Sequence, residues 1–241
     1  MSKVVGVIGG MGPLASHAFY GELIRLTEAR RDQDHLHVII DSDATIPDRT
    51  AFFLHGGEDP RPQIMAAAGR LVAAGADLLV MPCNTAAAFS DEIRQAAGVP
   101  LVDWIDTAVD RLAELGARRV GILATSGTIE VGLYQQRLEA QGMEWVVPDA
   151  GGQEAVMDAI YGEHGVKSGV VDEVARKAVL QVAEELRRRG ADAVVLGCTE
   201  IPLAVPSADP AWPLRAVDPA SAVVRRVIQE AGGGVAEEAE R

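Results

Sequence analysis

Short continuous apolar runs alternate along the chain with segments whose apolar residues recur every three or four positions. The runs VVGVI from Val4, LHVII from Leu36 and LLVMP from Leu78 read as strands covered on both faces. Further strands are expected at 99–102, 120–123, 145–147, 194–196 and 214–217. Between them, Pro13 suits the first position of a helix whose Leu14, Ala18, Phe19, Leu23 and Leu26 line one face, and a second helix starts near Arg61. Strands alternating with helices predict an α/β fold with mostly parallel sheets. The final segment, AGGGVAEEAER, is glycine-rich and then acidic, a pattern that predicts a frayed end.

An internal repeat refines this picture, because equivalent residues recur at a constant offset of 115 positions. Gly6-Val7-Ile8 corresponds to Gly121-Ile122-Leu123, and Gly12 to Gly127. Gly75-Ala76-Asp77 corresponds to Gly190-Ala191-Asp192, Cys83 to Cys198, and Val102-Asp103 to Val217-Asp218. The repeat predicts two similar Rossmann-like α/β lobes related by a pseudo-two-fold axis, each placing a cysteine just past the end of an apolar strand. Ligands of open α/β sheets bind at that edge, so the site is expected between the lobes. The first lobe is expected to comprise 1–103 plus about 208–241, and the second 104–207.

Composition then removes several classes of function. Of 241 residues, 22 are Lys or Arg and 35 are Asp or Glu, a formal net charge of −13. Such a chain lacks the basic patches that nucleic acid and anionic membranes require. It has no apolar run of transmembrane length, and MSKVVGVIGG reads as a buried strand and not as a leader, so a cytoplasmic location is expected. The five histidines form no ligand motif and the two cysteines no zinc spacing, so no metal is expected. The three lysines, Lys3, Lys167 and Lys177, leave few candidates for a Schiff base.

The chemistry centres on MPCNTA and LGCTE, where each thiol is followed at once by hydrogen-bonding side chains: Asn84 and Thr85 after Cys83, Thr199 and Glu200 after Cys198. Such neighbours can hold a carboxylate and tune a thiol, whereas a cysteine that only fills a core needs neither. The turn Gly10-Met11-Gly12-Pro13-Leu14-Ala15 fits G-x-G-x-x-A, and with Asp41 ending the next strand it permits a dinucleotide reading. In the repeat copy, however, that turn reads LATSGT and offers Thr125, Ser126 and Thr128. Hydroxyls and amides at both strand ends suit a small anion between the lobes better than a pyrophosphate on one.

Six motifs in order, GGMGPLAS, PDRT, MPCNTA, ATSGT, IYGEHGVKSG and LGCTEIPL, resemble the cofactor-independent aspartate/glutamate racemase family from residue 4 to about 219. The resemblance implies a two-lobed fold, a homodimer, no cofactor, and racemisation of a small acidic amino acid by a cysteine pair. It assigns Cys83 and Cys198 as the acid/base residues and Arg49 and Lys167 as contacts of the side-chain carboxylate. Asn84, Thr85, Thr125 and Thr199 would hold the α-carboxylate and amine, while Met11, Ser126, Thr128 and Glu200 complete the expected substrate-binding set. One departure stands out, since Ala87 occupies the place where the family often has histidine after CNTA. Competing classes are a hydantoin racemase or maleate isomerase of the wider superfamily, a nicotinamide-dependent oxidoreductase, and a ligand sensor whose thiols are incidental.

Overall fold

A computed structural model of the chain describes residues 2–169 and 173–236. The first half contains β1 (Val5–Gly9), α1 (Pro13–Leu26), β2 (Val38–Ser42), α2 (Arg49–His55), α3 (Arg61–Ala73), β3 (Leu78–Val80) and α4 (Ser90–Ala97). The second contains α5 (Trp104–Glu114), β4 (Arg119–Ala124), α6 (Ser126–Val131), α7 (Leu133–Ala140), β5 (Glu144–Val146), α8 (Ala150–Tyr161), α9 (Glu173–Arg188), β6 (Ala193–Gly197), α10 (Ile201–Ala204), β7 (Arg215–Val217) and α11 (Pro219–Ala231). All strand pairs are parallel, in a sheet ordered β2-β1-β3 and another ordered β5-β4-β6-β7. The chain is therefore an α/β protein of two lobes.

The repeat appears in the hydrogen bonds as well as in the strand order. The carboxylate of Asp77 accepts from the Val4 amide, and that of its equivalent Asp192 accepts from Arg118 and Arg119. Asp103 and Asp218 both cap helices, α5 through the Asp106 amide and α11 through the Ala220 amide. The expected strand at 99–102 is present only as a parallel bridge between Leu79 and Leu101, in the place that β7 takes in the second sheet. Pro100 has no amide hydrogen to give a longer ladder.

The crossing between lobes falls later than expected. Arg215–Val217 pairs with β6, so this strand belongs to the second sheet, and the return to the first lobe begins at Asp218 and not near 208. Helix α11 then packs on α1 and α5. One central core joins the lobes: Phe19, Leu23 and Leu26 of α1 meet Trp104 and Ile105 of α5, Val120 and Ile122 of β4, and Val223 and Val227 of α11. Each such side chain contributes about 1.5–3 kcal/mol on burial. Two further cores lie on the outer faces of the two sheets.

Two expectations from the pattern change. Leu14 is 45% exposed and lines the cleft, and the buried stripe of α1 is Ala15, Ser16, Phe19, Leu23 and Leu26. The end of the chain is tied down as far as Ala236: Val235 forms an antiparallel bridge with Thr27, and the Ala236 amide donates to the Leu26 carbonyl at 2.8 Å. The rest of the expected frayed end lies outside the described residues.

Candidate active site

Cys83 and Cys198 sit just beyond the carboxyl ends of β3 and β6, equivalent strands of the two sheets, and both are buried. They line one small chamber between the lobes together with Met11, Arg49, Asn84, Thr85, Thr125, Tyr161, Lys167, Thr199 and Glu200. Ten of the expected site residues thus meet in one place. Two do not line it. Ser126 is turned toward α8, its hydroxyl accepting from Gln153 and its amide directed at the Met157 sulfur, and Thr128 lies behind the chamber wall.

The second-lobe thiol is embedded in a polar chain. The Cys198 thiol donates to Glu200 Oε2 at 3.0 Å, Thr199 Oγ1 donates to the same oxygen at 3.1 Å, and Lys167 Nζ donates to Glu200 Oε1 at 2.8 Å. Burial pushes the Cys198 thiol well above its ordinary value and the Glu200 charge adds to this, while Lys167 opposes it. Burial also works against the Glu200 charge, yet Lys167 and the donating thiol hold its carboxyl below the usual value. Lys167 in turn lies over the ring of Tyr161 at 5.5 Å.

The first-lobe thiol faces a cation instead. Arg49, the first residue of α2, is only 7% exposed and donates to the carbonyls of Met11 and Pro47, each at 3.0 Å. Its Nε has no partner. Burial alone would lower the guanidinium pKa, but Cys83 and Asp48 beside it raise it. One thiol therefore faces a guanidinium and the other a carboxylate.

Between them lie neutral donors. The hydroxyls of Thr85, Thr125 and Thr128 form a triangle with sides of 2.8–3.0 Å, and Thr125 also caps α6 by accepting from the Thr128 amide. Asn84 Oδ1 accepts from Trp104 Nε1 at 3.1 Å and from the Tyr134 hydroxyl at 2.5 Å, which leaves its buried Nδ2 with no partner. Two unpartnered buried donors at one chamber, Asn84 Nδ2 and Arg49 Nε, mark it as a place for an anionic ligand.

The glycine-rich turn has another use than the dinucleotide reading requires. Gly10 has φ +90°, and a Cβ there would lie 2.3 Å from the Asp43 backbone, so this turn is pressed against the loop after β2. Its amide donates to Ser16 of the turn's own helix, and Asp41 is held by Arg70 at 2.7 Å. Gly12 makes room for the opposite lobe, since a Cβ there would come within 3.2 Å of Glu200 Oε1.

Tyr161, Tyr134 and Trp104 were not among the expected site residues. Tyr161 stands inside IYGEHGVKSG, a motif already singled out, and donates to Asp48 across the lobes at 3.0 Å. Tyr134 carries no local signal, because its role depends on a partner 50 positions away.

With parallel two-lobed architecture and a thiol from each lobe, the chain belongs to the Asp/Glu/Hydantoin racemase family, whose profile matches residues 8–227. It is similar to an aspartate racemase from Picrophilus torridus, with 31% identity and a TM-score of 0.87 over 98% of this chain and 97% of that one. A putative Asp/Glu racemase from Yersinia pestis follows at 27% identity and TM-score 0.79, covering 95% and 99% of the two chains. By sequence it is 29% identical to the broad specificity amino-acid racemase RacX of Bacillus subtilis over 61% of this chain and 65% of that protein. It is 34% identical to a glutamate racemase of Corynebacterium glutamicum over 59% of this chain and 50% of that one. These two alignments span half to two thirds of the relatives' length. Among the described residues, no helix is long and apolar enough to cross a membrane.

Proposed function

We propose that this protein is a cofactor-independent amino-acid racemase that interconverts D- and L-aspartate, and glutamate second, with Cys83 and Cys198 as its two bases. The observation that carries this reading is the convergence of one thiol from each lobe on a single buried chamber lined by unpartnered donors. One sulfur, as thiolate, takes the α-proton, and the opposite thiol gives its proton to the other face of the α-carbon. The centre inverts, and the two sulfurs exchange protonation states. Cys198, donating to Glu200, is prepared to act as the proton donor.

Removal of the α-proton builds negative charge toward the α-carboxylate, so donors aimed there act more strongly in the transition state than before it. Asn84 Nδ2 supplies one, and the hydroxyls of Thr85, Thr125 and Thr199 join it on turning from their present partners. Arg49 and Lys167 border both the chamber and the larger cavity outside it, where a side-chain carboxylate would lie, and Lys167 would be shared between that carboxylate and Glu200. The resemblance assigns the D-enantiomer to Cys83 and the L-enantiomer to Cys198.

The same reading includes a cytoplasmic homodimer. The exposed apolar side chains Tyr20 and Ile24 of α1 and Ile40 of the edge strand β2 offer a surface for a second copy. Light scattering should give twice the chain mass, and Ile24→Glu should return it to that of one chain.

The deciding experiment is α-deuterium incorporation from heavy water into each enantiomer of aspartate. The wild type should exchange both, whereas Cys83→Ser and Cys198→Ser should abolish racemisation while each retains exchange of the opposite enantiomer. The same enantiomer preference in both variants would sink the two-base reading, and loss of activity on chelation would sink its metal independence.

A further inference from the structure

We infer that Tyr134 and Trp104 are positioning residues that fix the side-chain amide of Asn84 with its donor toward the substrate, a role that rests on the racemase reading above. An indole N–H can only donate, so the Asn84 atom 3.1 Å from Trp104 Nε1 must be the amide oxygen. The Tyr134 hydroxyl donates to that same oxygen. Both acceptor positions of the oxygen are therefore filled from the second half of the chain. The amide nitrogen, buried and without a partner, is left with its two hydrogens for the chamber.

The device couples the two cysteine loops. Asn84 directly follows Cys83 in the first lobe, while Trp104 opens α5 and Tyr134 lies in α7. The fully buried Tyr134 ring also abuts Gly197, directly before Cys198, where a Cβ would lie 3.0 Å from Tyr134 Cε2 and 2.9 Å from the Ala124 Cβ. The hydroxyl of Tyr134 thus touches one cysteine loop and its ring the other. Without the two donors, the amide could turn its oxygen to the substrate, and an acceptor would face the α-carboxylate as negative charge builds on it.

Tyr134→Phe keeps the ring against Gly197 and removes only the hydroxyl. It should lower kcat/KM for aspartate about tenfold, the effect of weakening one buried hydrogen-bond arrangement, with the fall mainly in kcat. In the Asn84→Ala background the same change should have no further effect, because its action passes through that amide. Asn84→Asp should be less active than Asn84→Ala, since the isosteric carboxylate satisfies Trp104 and Tyr134 but presents an oxygen to the substrate. Full activity of Tyr134→Phe, additive losses in the double variant, or Asn84→Asp at least as active as Asn84→Ala would each overturn the inference while leaving the racemase reading intact. A wild type that exchanges no α-proton of any amino acid would overturn both.

Discussion

Glu200 accepts from three side chains at the chamber, and its two carboxylate oxygens serve different partners. Lys167 holds one and the Cys198 thiol donates to the other, at 2.8 and 3.0 Å, in surroundings that leave Glu200 3% exposed. The Cys198 thiol is held up first by burial and then by this carboxylate, so Glu200→Gln should bring its titration down, further helped by the freed Lys167. The check is the pH dependence of alkylation of Cys198 in a Cys83→Ser background, and an unchanged or higher midpoint would contradict the assignment. At this scale the sequence was informative about identity and poor about aim. LGCTE put an acid two residues from a thiol, but the ion pair with Lys167 spans 33 positions. Ser126 illustrates the converse: an appropriate hydroxyl in an appropriate motif, turned to Gln153 because it follows the cap of α6 and is not itself the cap.

Helix ends carry the next level of the argument. Asp218 caps α11 where the chain leaves the second sheet for the first lobe, and burial raises its carboxyl from 3.8 to about 6 despite the Ala220 amide it accepts. Between those values the folded protein keeps a proton that the unfolded chain has lost, so this group's contribution to stability falls as pH rises from about 4 to 6 and stays low above it. Asp218→Asn retains a good capping side chain and removes the buried charge. It should raise stability by about 1–2 kcal/mol at pH 7.5 and leave it unchanged at pH 4, less than the full shift implies because the residue is only half-buried. Urea unfolding at the two pH values tests this, and an equal effect at both would refute it. The elements themselves were largely legible, since apolar runs and the repeat predicted β1, β3, β4, β6 and β7 in place. The lobe boundary was not: the 115-residue offset sets 214–217 equivalent to 99–102, so β7 lies beside β6 as Leu101 lies beside Leu79, and a boundary near 208 passes over that equivalence.

Across the whole molecule, two cavities of very different size share one wall. The chamber between the thiols has a volume of about 10 Å³, room for the centre of about one water and not for an amino acid. Outside it lies a cavity of about 400 Å³ bounded by Leu14, Ala44, Ile46 and Val166 among others, and Arg49, Lys167 and Glu200 border both. For an amino acid to lie between both sulfurs, as the proposed reaction requires, the chamber must widen, and the Tyr161 to Asp48 bond across the lobes lies beside the shared wall. Once the α-carbon is between the thiols, with its carboxylate among the hydroxyls and Asn84, the side chain has one direction left, past Arg49 and Lys167 toward the outer cavity. Aspartate ends at the two cations. Each added methylene meets the apolar walls of Leu14, Ile46 and Val166, while the terminal carboxylate is carried away from the two cations toward the open side of the outer cavity. Glutamate and 2-aminoadipate should therefore be exchanged more slowly than aspartate, and Ala44→Phe, which fills the outer cavity, should discriminate further by chain length. One methylene refused by such a wall is worth about 1–3 kcal/mol, so the ratio of 2-aminoadipate to aspartate turnover should fall at least about tenfold in that variant. If the ratio holds while the variant remains folded and active on aspartate, the side chain takes another path.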